Sequence, residues 1–193
     1  VLYRAGSLSP VEVTRQVLDH IAAVNPRINA VYFLDAEGAL AAARASEVRW
    51  RRGEPQGLLD GVPVTLKDSV YVAGMPTPHG TRAIVADAAA GTDAPVTSRL
   101  REHGAILLGK TTMPDLGMIP SGISSLHGIT RNPWNLARNS GGSSAGAGAA
   151  VASGMGALAV GSDIGGSIRI PAAFCGIVGL KPSPWRAASP TWR

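Results

Sequence analysis

The sequence predicts an α/β fold, a mixed β-sheet covered by helices on both faces. Three observations lead there. Capped amphipathic segments alternate with short apolar runs near residues 62–66, 105–109 and 157–160, the pattern of helices packed over buried strands. Hydrophobic residues make up 45% of the 193-residue chain and charged residues 16%, enough to bury a core. No internal repeat divides the chain, so one domain, or part of a larger one, is expected.

Each element has a local reason. Ser9 can cap a first helix, Pro10 suits its first position, and Glu12 completes a capping box. Val13, Val17, Ile21 and Val24 form its apolar stripe, and Asn25-Pro26 is expected to stop it. A second helix, rich in Ala and Arg, spans about 36–51, before Gly53 and Pro55. Val62–Leu66 reads as a buried strand. In "GTDAPVTSRLREHGAILLGK" Thr92 or Asp93 caps a helix, Pro95 lies in its first turn and Gly104 ends it; "AILLG" follows as a strand. Met113–Asn139 reads as a long Gly- and Pro-containing loop, Ala145–Ser153 as a closely packed small-residue helix, and 157–160 as a strand.

Charge and composition exclude several classes. Seven basic and seven acidic side chains balance in residues 1–60, eight face six in 61–180, and Lys181, Arg186 and Arg193 supply the rest of the +5. With no basic stripe interleaved with aromatics, nucleic-acid binding is not expected. No apolar run reaches membrane-spanning length and no signal-peptide core is present, so a cytoplasmic protein without membrane contact is expected. The chain begins with Val1, which suggests that its true start is missing. One cysteine, Cys175, forms no internal disulfide or cysteine zinc site and reads as a small buried hydrophobe.

The chemistry lies in Gly141–Pro171, where nine glycines and five serines fall in one run. A linker is excluded by regularly spaced apolar residues at 151, 155, 158, 160 and 164. Gly154–Ala159 matches G-x-G-x-x-A, but a helix precedes it and a strand follows, the reverse of a dinucleotide fingerprint. A P-loop needs a lysine that the run lacks. Gly142–Gly146 matches G-x-S-x-G, but no buried strand leads into it, and all four histidines precede it. What remains is "SDIGGSIR". Successive glycines let backbone N–H groups converge on one point, a nest suited to an oxyanion, with Ser167 placed to attack. With no well-placed histidine, a lysine is the next candidate for the base, provided burial lowers its pKa. Of only three lysines, Lys67 directly follows an apolar strand.

"GVPVTLKDSVYVAGMPTPHGT", "GAILLGKTTMPDLG", "GITRNPWN" and the block from Gly141 to Ser183 resemble the amidase signature family of serine amide hydrolases. The resemblance covers about Ser9 to Ser183 and implies that family's fold, incomplete here at the C-terminus, with residues 1–183 as the N-terminal portion of a single domain. It implies Ser167 as acyl-accepting nucleophile, Lys67 as general base, and Ser143, typically on a cis peptide, as the bridge between them. It also implies an oxyanion hole from the N–H groups of Ile164, Gly165, Gly166 and Ser167, and no metal or organic cofactor. The expected partner is a small-molecule amide substrate, and a homodimer stays open. Asp163 and Arg169 are expected to brace the loop.

Other readings stay open beside these. Ser143 also suits a helix cap, and Lys67 a surface pair with Asp68. His127 and Trp134 either line an entrance or pack the long loop. Ser69 and Ser140 stand where many family members have Asn and Pro. The tail "PWRAASPTWR" (184–193) resembles nothing in the family, and a frameshift or truncation is expected there. Function then divides three ways: an amide hydrolase, the glutaminase component of a tRNA-dependent amidotransferase, or a non-catalytic remnant.

Overall fold

α1 (Pro10–Ile28) starts on the expected capping box, with Ser9 accepting from the Val11 and Glu12 N–H groups and Glu12 accepting from Ser9 N–H. It does not stop at Asn25-Pro26. The helix continues through Pro26 to Asn29, whose φ of 58° ends it with its N–H on Asn25 O at 2.7 Å. Asn25 instead staples the helix to the next strand: its Oδ1 accepts from the Ala30 and Val31 N–H groups, and its Nδ2 donates to Val31 O. The buried face runs through Thr14, Leu18, Ile21 and Ile28; of the expected stripe only Ile21 is fully buried, with Val17 and Val24 at its margin. The structure, a computed structural model, describes residues 2–84 and 90–183. The 184–193 tail therefore lies outside the described residues.

The chain continues as β1 (Val31–Leu34), α2 (Ala36–Arg52), β2 (Pro63–Lys67), α3 (Pro95–Glu102) and β3 (Ile106–Thr111). Asp35 caps α2 by accepting from Gly38 N–H. The N-cap of α3 is Ala94, not Thr92 or Asp93: Asp93 accepts from Ala73 N–H and Arg101 Nε, tying the preceding loop to the helix end. The long loop is more ordered than its composition suggests. It holds a 3₁₀ turn (Asp115–Gly117) and two small hairpins, β4 (Ile123–Ser124) with β5 (Gly128–Ile129) and β6 (Arg131–Asn132) with β7 (Asn135–Asn139). α4 (Ala145–Ala152), β8 (Leu158–Val160) and α5 (Arg169–Cys175) complete the described chain. β1 and α5 were not anticipated: one is four residues long, and the other contains Pro171 and begins inside the end of the glycine run.

The principal sheet has the order β1-β3-β2-β8, with β2 parallel to both neighbours and β1 antiparallel to β3. One core cluster joins α1, α2 and α4 to Ile106 and Leu108; the other joins Val64, Leu66 and Leu107 to Val70, Val72, Met75 and Leu100. Helices thus cover both faces, as expected. Register decides which residues reach which face. Val64 pairs with Leu107, but Thr65 pairs with Gly109, so Leu108 is skipped. Gly109 has φ 152°, and a Cβ there would run into Phe33 O. After this bulge Lys110 pairs with Leu66 and shares its face, while Thr65 and Lys67 point to the α4 side.

Candidate active site

Lys67 is the last residue of β2, only 1% exposed. Its Nζ donates to Ser143 Oγ at 2.8 Å and to Ser162 Oγ at 2.9 Å. The surface pair with Asp68 is not formed, because the amine is turned into the fold. Ser143 precedes α4, and its peptide bond to Gly142 is cis. The helix N-cap is Ser144, which makes no side-chain capping bond; its hydroxyl lies 3.2 Å from Ser162 O instead. α4 can approach this closely because its early residues are small. A Cβ on Gly146 would strike Ala30 O, and one on Gly148 would come within 2.8 Å of Pro171 Cβ. On another side, Gly117 lies so near that an added Cβ would sit 3.3 Å from Ser143 Oγ.

Ser167 is attached to this pair through the backbone: Ser144 N–H donates to Ser167 O at 3.0 Å. Its Oγ makes no hydrogen bond among the described residues, so Lys67 and Ser143 are brought together while the Ser143–Ser167 hydroxyl contact is not formed. Asp163 organises the loop before Ser167. Its carboxylate accepts from the N–H groups of Gly166, Ile168 and Arg169 and from the Arg169 guanidinium at 2.9 and 3.0 Å. The Arg169 bonds chiefly hold that carboxyl far below its usual range. Gly166 N–H is therefore committed to Asp163, whereas the N–H groups of Ile164, Gly165 and Ser167 have no partner among the described residues. Gly166 carries the loop's positive φ, 124°. Ile164 projects fully into solvent.

Burial lowers the Lys67 ammonium from 10.5 to about 8, against the upward pull of the Asp68 and Asp163 charges. Lys110, on the opposite face, is also lowered to about 8 by burial, again opposed by Asp68. Its Nζ donates to the Asp68 and Val70 carbonyls and to Thr77 Oγ1. Carbonyls only accept, so this cage suits an ammonium. The hydroxyls around Lys67 can donate as well as accept, so they also suit a neutral amine. A stability effect follows. Just above pH 8 the unfolded chain still holds the protons that both native lysines have released, so stability rises with pH. Between pH 7.5 and 9 urea unfolding should show a gain of about 1 kcal/mol per lysine, which Cys175, raised by burial to about 11, begins to oppose as the pH nears 9 and the unfolded thiol ionises. A flat or falling profile would contradict the buried amines.

Ser162 and Asp68 were missed in the sequence. Nothing local marks Ser162 among five serines, and Asp68 reads as a surface partner for its neighbour. His127, from the turn between β4 and β5, reaches Asp68 Oδ2 at 3.2 Å. Trp134 is 75% exposed and anchored by Nε1–H on Cys175 O. Among the described residues no cluster of His, Cys, Asp or Glu could hold a metal ion, and no helix is long and apolar enough to cross a membrane.

Comparison with known proteins decides the family, because the Amidase family model matches residues 12–189. The chain belongs to the amidase family. This amidase-family chain is 49% identical over 179 residues to a glutamyl-tRNA(Gln) amidotransferase subunit of Acidothermus cellulolyticus, covering 93% of itself and 35% of that protein. It is 45% identical to an acylamidase of Rhodococcus erythropolis, covering 93% of itself and 37% of the relative. Among solved structures, the native peptide amidase of Stenotrophomonas maltophilia superimposes with a TM-score of 0.87 at 37% identity, over 94% of this chain and 38% of that one. The chain thus spans about a third of the length of these relatives. β8 stands at the end of the sheet order, beside an apolar groove of about 520 Å³ lined by Val151, Leu158, Val160, Ile168, Ile177 and Leu180.

Proposed function

We propose that this chain carries the catalytic residues of an amide-bond hydrolase, which converts a carboxamide to a carboxylate and ammonia or an amine. The observation that carries the reading is the buried Lys67–Ser143 hydrogen bond, with the amine lowered to about 8 by burial. Once Ser167 Oγ turns onto Ser143 Oγ, neutral Lys67 accepts the Ser143 proton as Ser143 accepts that of Ser167. Ser167 Oγ then forms a bond to the amide carbon, and the carbonyl π pair moves to oxygen. The free N–H groups of Ile164, Gly165 and Ser167 suit that oxyanion, and Gly166 joins them only by releasing Asp163. Return of the proton through Ser143 to the leaving nitrogen breaks the C–N bond. Water, deprotonated along the same relay, then hydrolyses the Ser167 ester.

The identity to an amidotransferase component supports a second reading, in which the same acyl-enzyme releases ammonia from glutamine for a partner protein. The likeness to an acylamidase and to the solved peptide amidase supports the free hydrolase, which ranks first. A cytoplasmic location and a homodimer belong to the same proposal, to be read by fractionation and light scattering. The deciding experiment is intact mass after fluorophosphonate treatment, comparing the chain with Ser167→Ala. One adduct on the former and none on the latter is expected. A folded chain that takes no label contradicts the assignment, and an unfolded one favours the non-catalytic remnant.

A further inference from the structure

Two buried lysines share one buried carboxylate, and neither touches it. Asp68 is fully buried. Its Oδ1 accepts from Tyr32 Oη at 3.0 Å and His79 N–H at 3.2 Å, and its Oδ2 from Gly80 N–H at 2.5 Å and His127 Nε2 at 3.2 Å. Burial first, and then the Asp68 charge, raise the Tyr32 phenol beyond its usual range, so it keeps its proton. The His127 ring stacks on Tyr32 at 4.2 Å between centroids, which fixes both donors. The two backbone N–H groups can only donate, and the imidazole and the phenol, whose hydroxyl also lies 3.0 Å from Pro76 O, can donate as well, so the pocket suits an anion. The lysine nitrogens are committed elsewhere, Lys67 to two hydroxyls and Lys110 to two carbonyls and Thr77. Asp68 is thus a fixed charge near both amines, not a salt-bridge partner.

We propose that Asp68 is a positioning residue for the reaction, a carboxylate held by Tyr32, His79, Gly80 and His127 that acts through space to keep Lys67 basic enough to take a proton. This rests on Lys67 being the base. A lysine buried among hydroxyls alone would lose its proton more readily and accept one from serine less well. The other charge acting on Lys67, Asp163, is tied up by Arg169. The titratable and charged groups around the cluster are therefore Lys67, Lys110, Asp68, Asp163, Arg169, Tyr32, His79 and His127, with Tyr71 edge-on to His79.

The composition gives a direct test, because the chain has three lysines. Carbon-13 lysine NMR of the full chain resolves the titration of Lys67, Lys110 and Lys181, assigned by single Lys→Met variants. In Asp68→Asn the Lys67 and Lys110 midpoints should both fall by about one pH unit or more. Exposed Lys181 should not move, and the pH of half-maximal fluorophosphonate labelling should fall in step with Lys67. Should Asp68→Asn fail to fold, His127→Arg places a permanent cation on the carboxylate, keeps its acceptors occupied, and should lower the Lys67 midpoint too. A labelled chain whose Lys67 midpoint is unmoved in these variants overturns this proposal alone. A folded chain that takes no label overturns the hydrolase reading, whatever the lysines do.

Discussion

A Lys67→Met chain is expected to acylate Ser167 with a fluorophosphonate at least about a hundredfold more slowly than the parent, the usual loss when a general base is removed. The parent rate should climb with pH and level off above about 8, where Lys67 becomes neutral. The Lys67→Met rate should be low and nearly independent of pH over the same range. Stability separates chemistry from folding. Methionine fills a similar space without an amine to desolvate, so the variant should be at least as stable as the parent. Lys110→Met is the matched control: it removes the other buried amine, which contacts no serine of the site, and should leave labelling largely intact. Equal labelling of Lys67→Met and parent would remove Lys67 from the mechanism.

Gly146→Val should abolish the folded state under conditions where the parent is stable. The added atoms would strike Ala30 O, with Thr112 N at 2.5 Å and Thr112 Oγ1 at 2.6 Å from the Cβ alone. Two of these are backbone groups next to β1 and β3 and bonded to each other, Thr112 N–H to Ala30 O at 2.9 Å, and Gly146 N–H itself bonds Thr112 O at 3.0 Å. Neither side can yield without moving β3 or α4, so the cost exceeds the ordinary ~1–3 kcal/mol of overpacking. Gly91→Ala, where an added Cβ meets nothing within 4 Å, should melt with the parent. Thermal denaturation by circular dichroism reads both. A stable Gly146→Val would mean that α4 sits farther from the sheet, and with it Ser143 from Lys67.

The fold was legible wherever a signal was local. The Ser9 capping box, the small residues of α4 and the apolar runs of β2, β3 and β8 each declare themselves within a few residues. What stayed hidden depends on partners far along the chain. Pro26 reads as a helix stop until Asn25 is seen binding the backbone at Ala30 and Val31. Asp93 reads as a cap until Ala73 and Arg101 claim its carboxylate. Among the site residues, Lys67 stood out by following an apolar strand, Ser167 by closing a glycine nest, and Ser143 by a family resemblance carried on its glycines. Ser162 and His127 had no such marker, because their importance comes from distances of 95 and 59 residues along the chain.

The skipped residue in β3 has one more consequence, which is a matter of odd and even. Counting on from the Val64–Leu107 pair without the skip would set Lys110 directly beside Lys67, on the same side of the sheet, at the ~4.8 Å spacing of neighbouring strands. Two amines crowded there would compete for one proton, and neither would titrate as an independent base. Leu108 shifts the count by one and sends Lys110 through the partition to its own cage of carbonyls. A single surplus leucine thus sends two chemically identical side chains to different company, one amine among carbonyls and the other among the serine hydroxyls of the site.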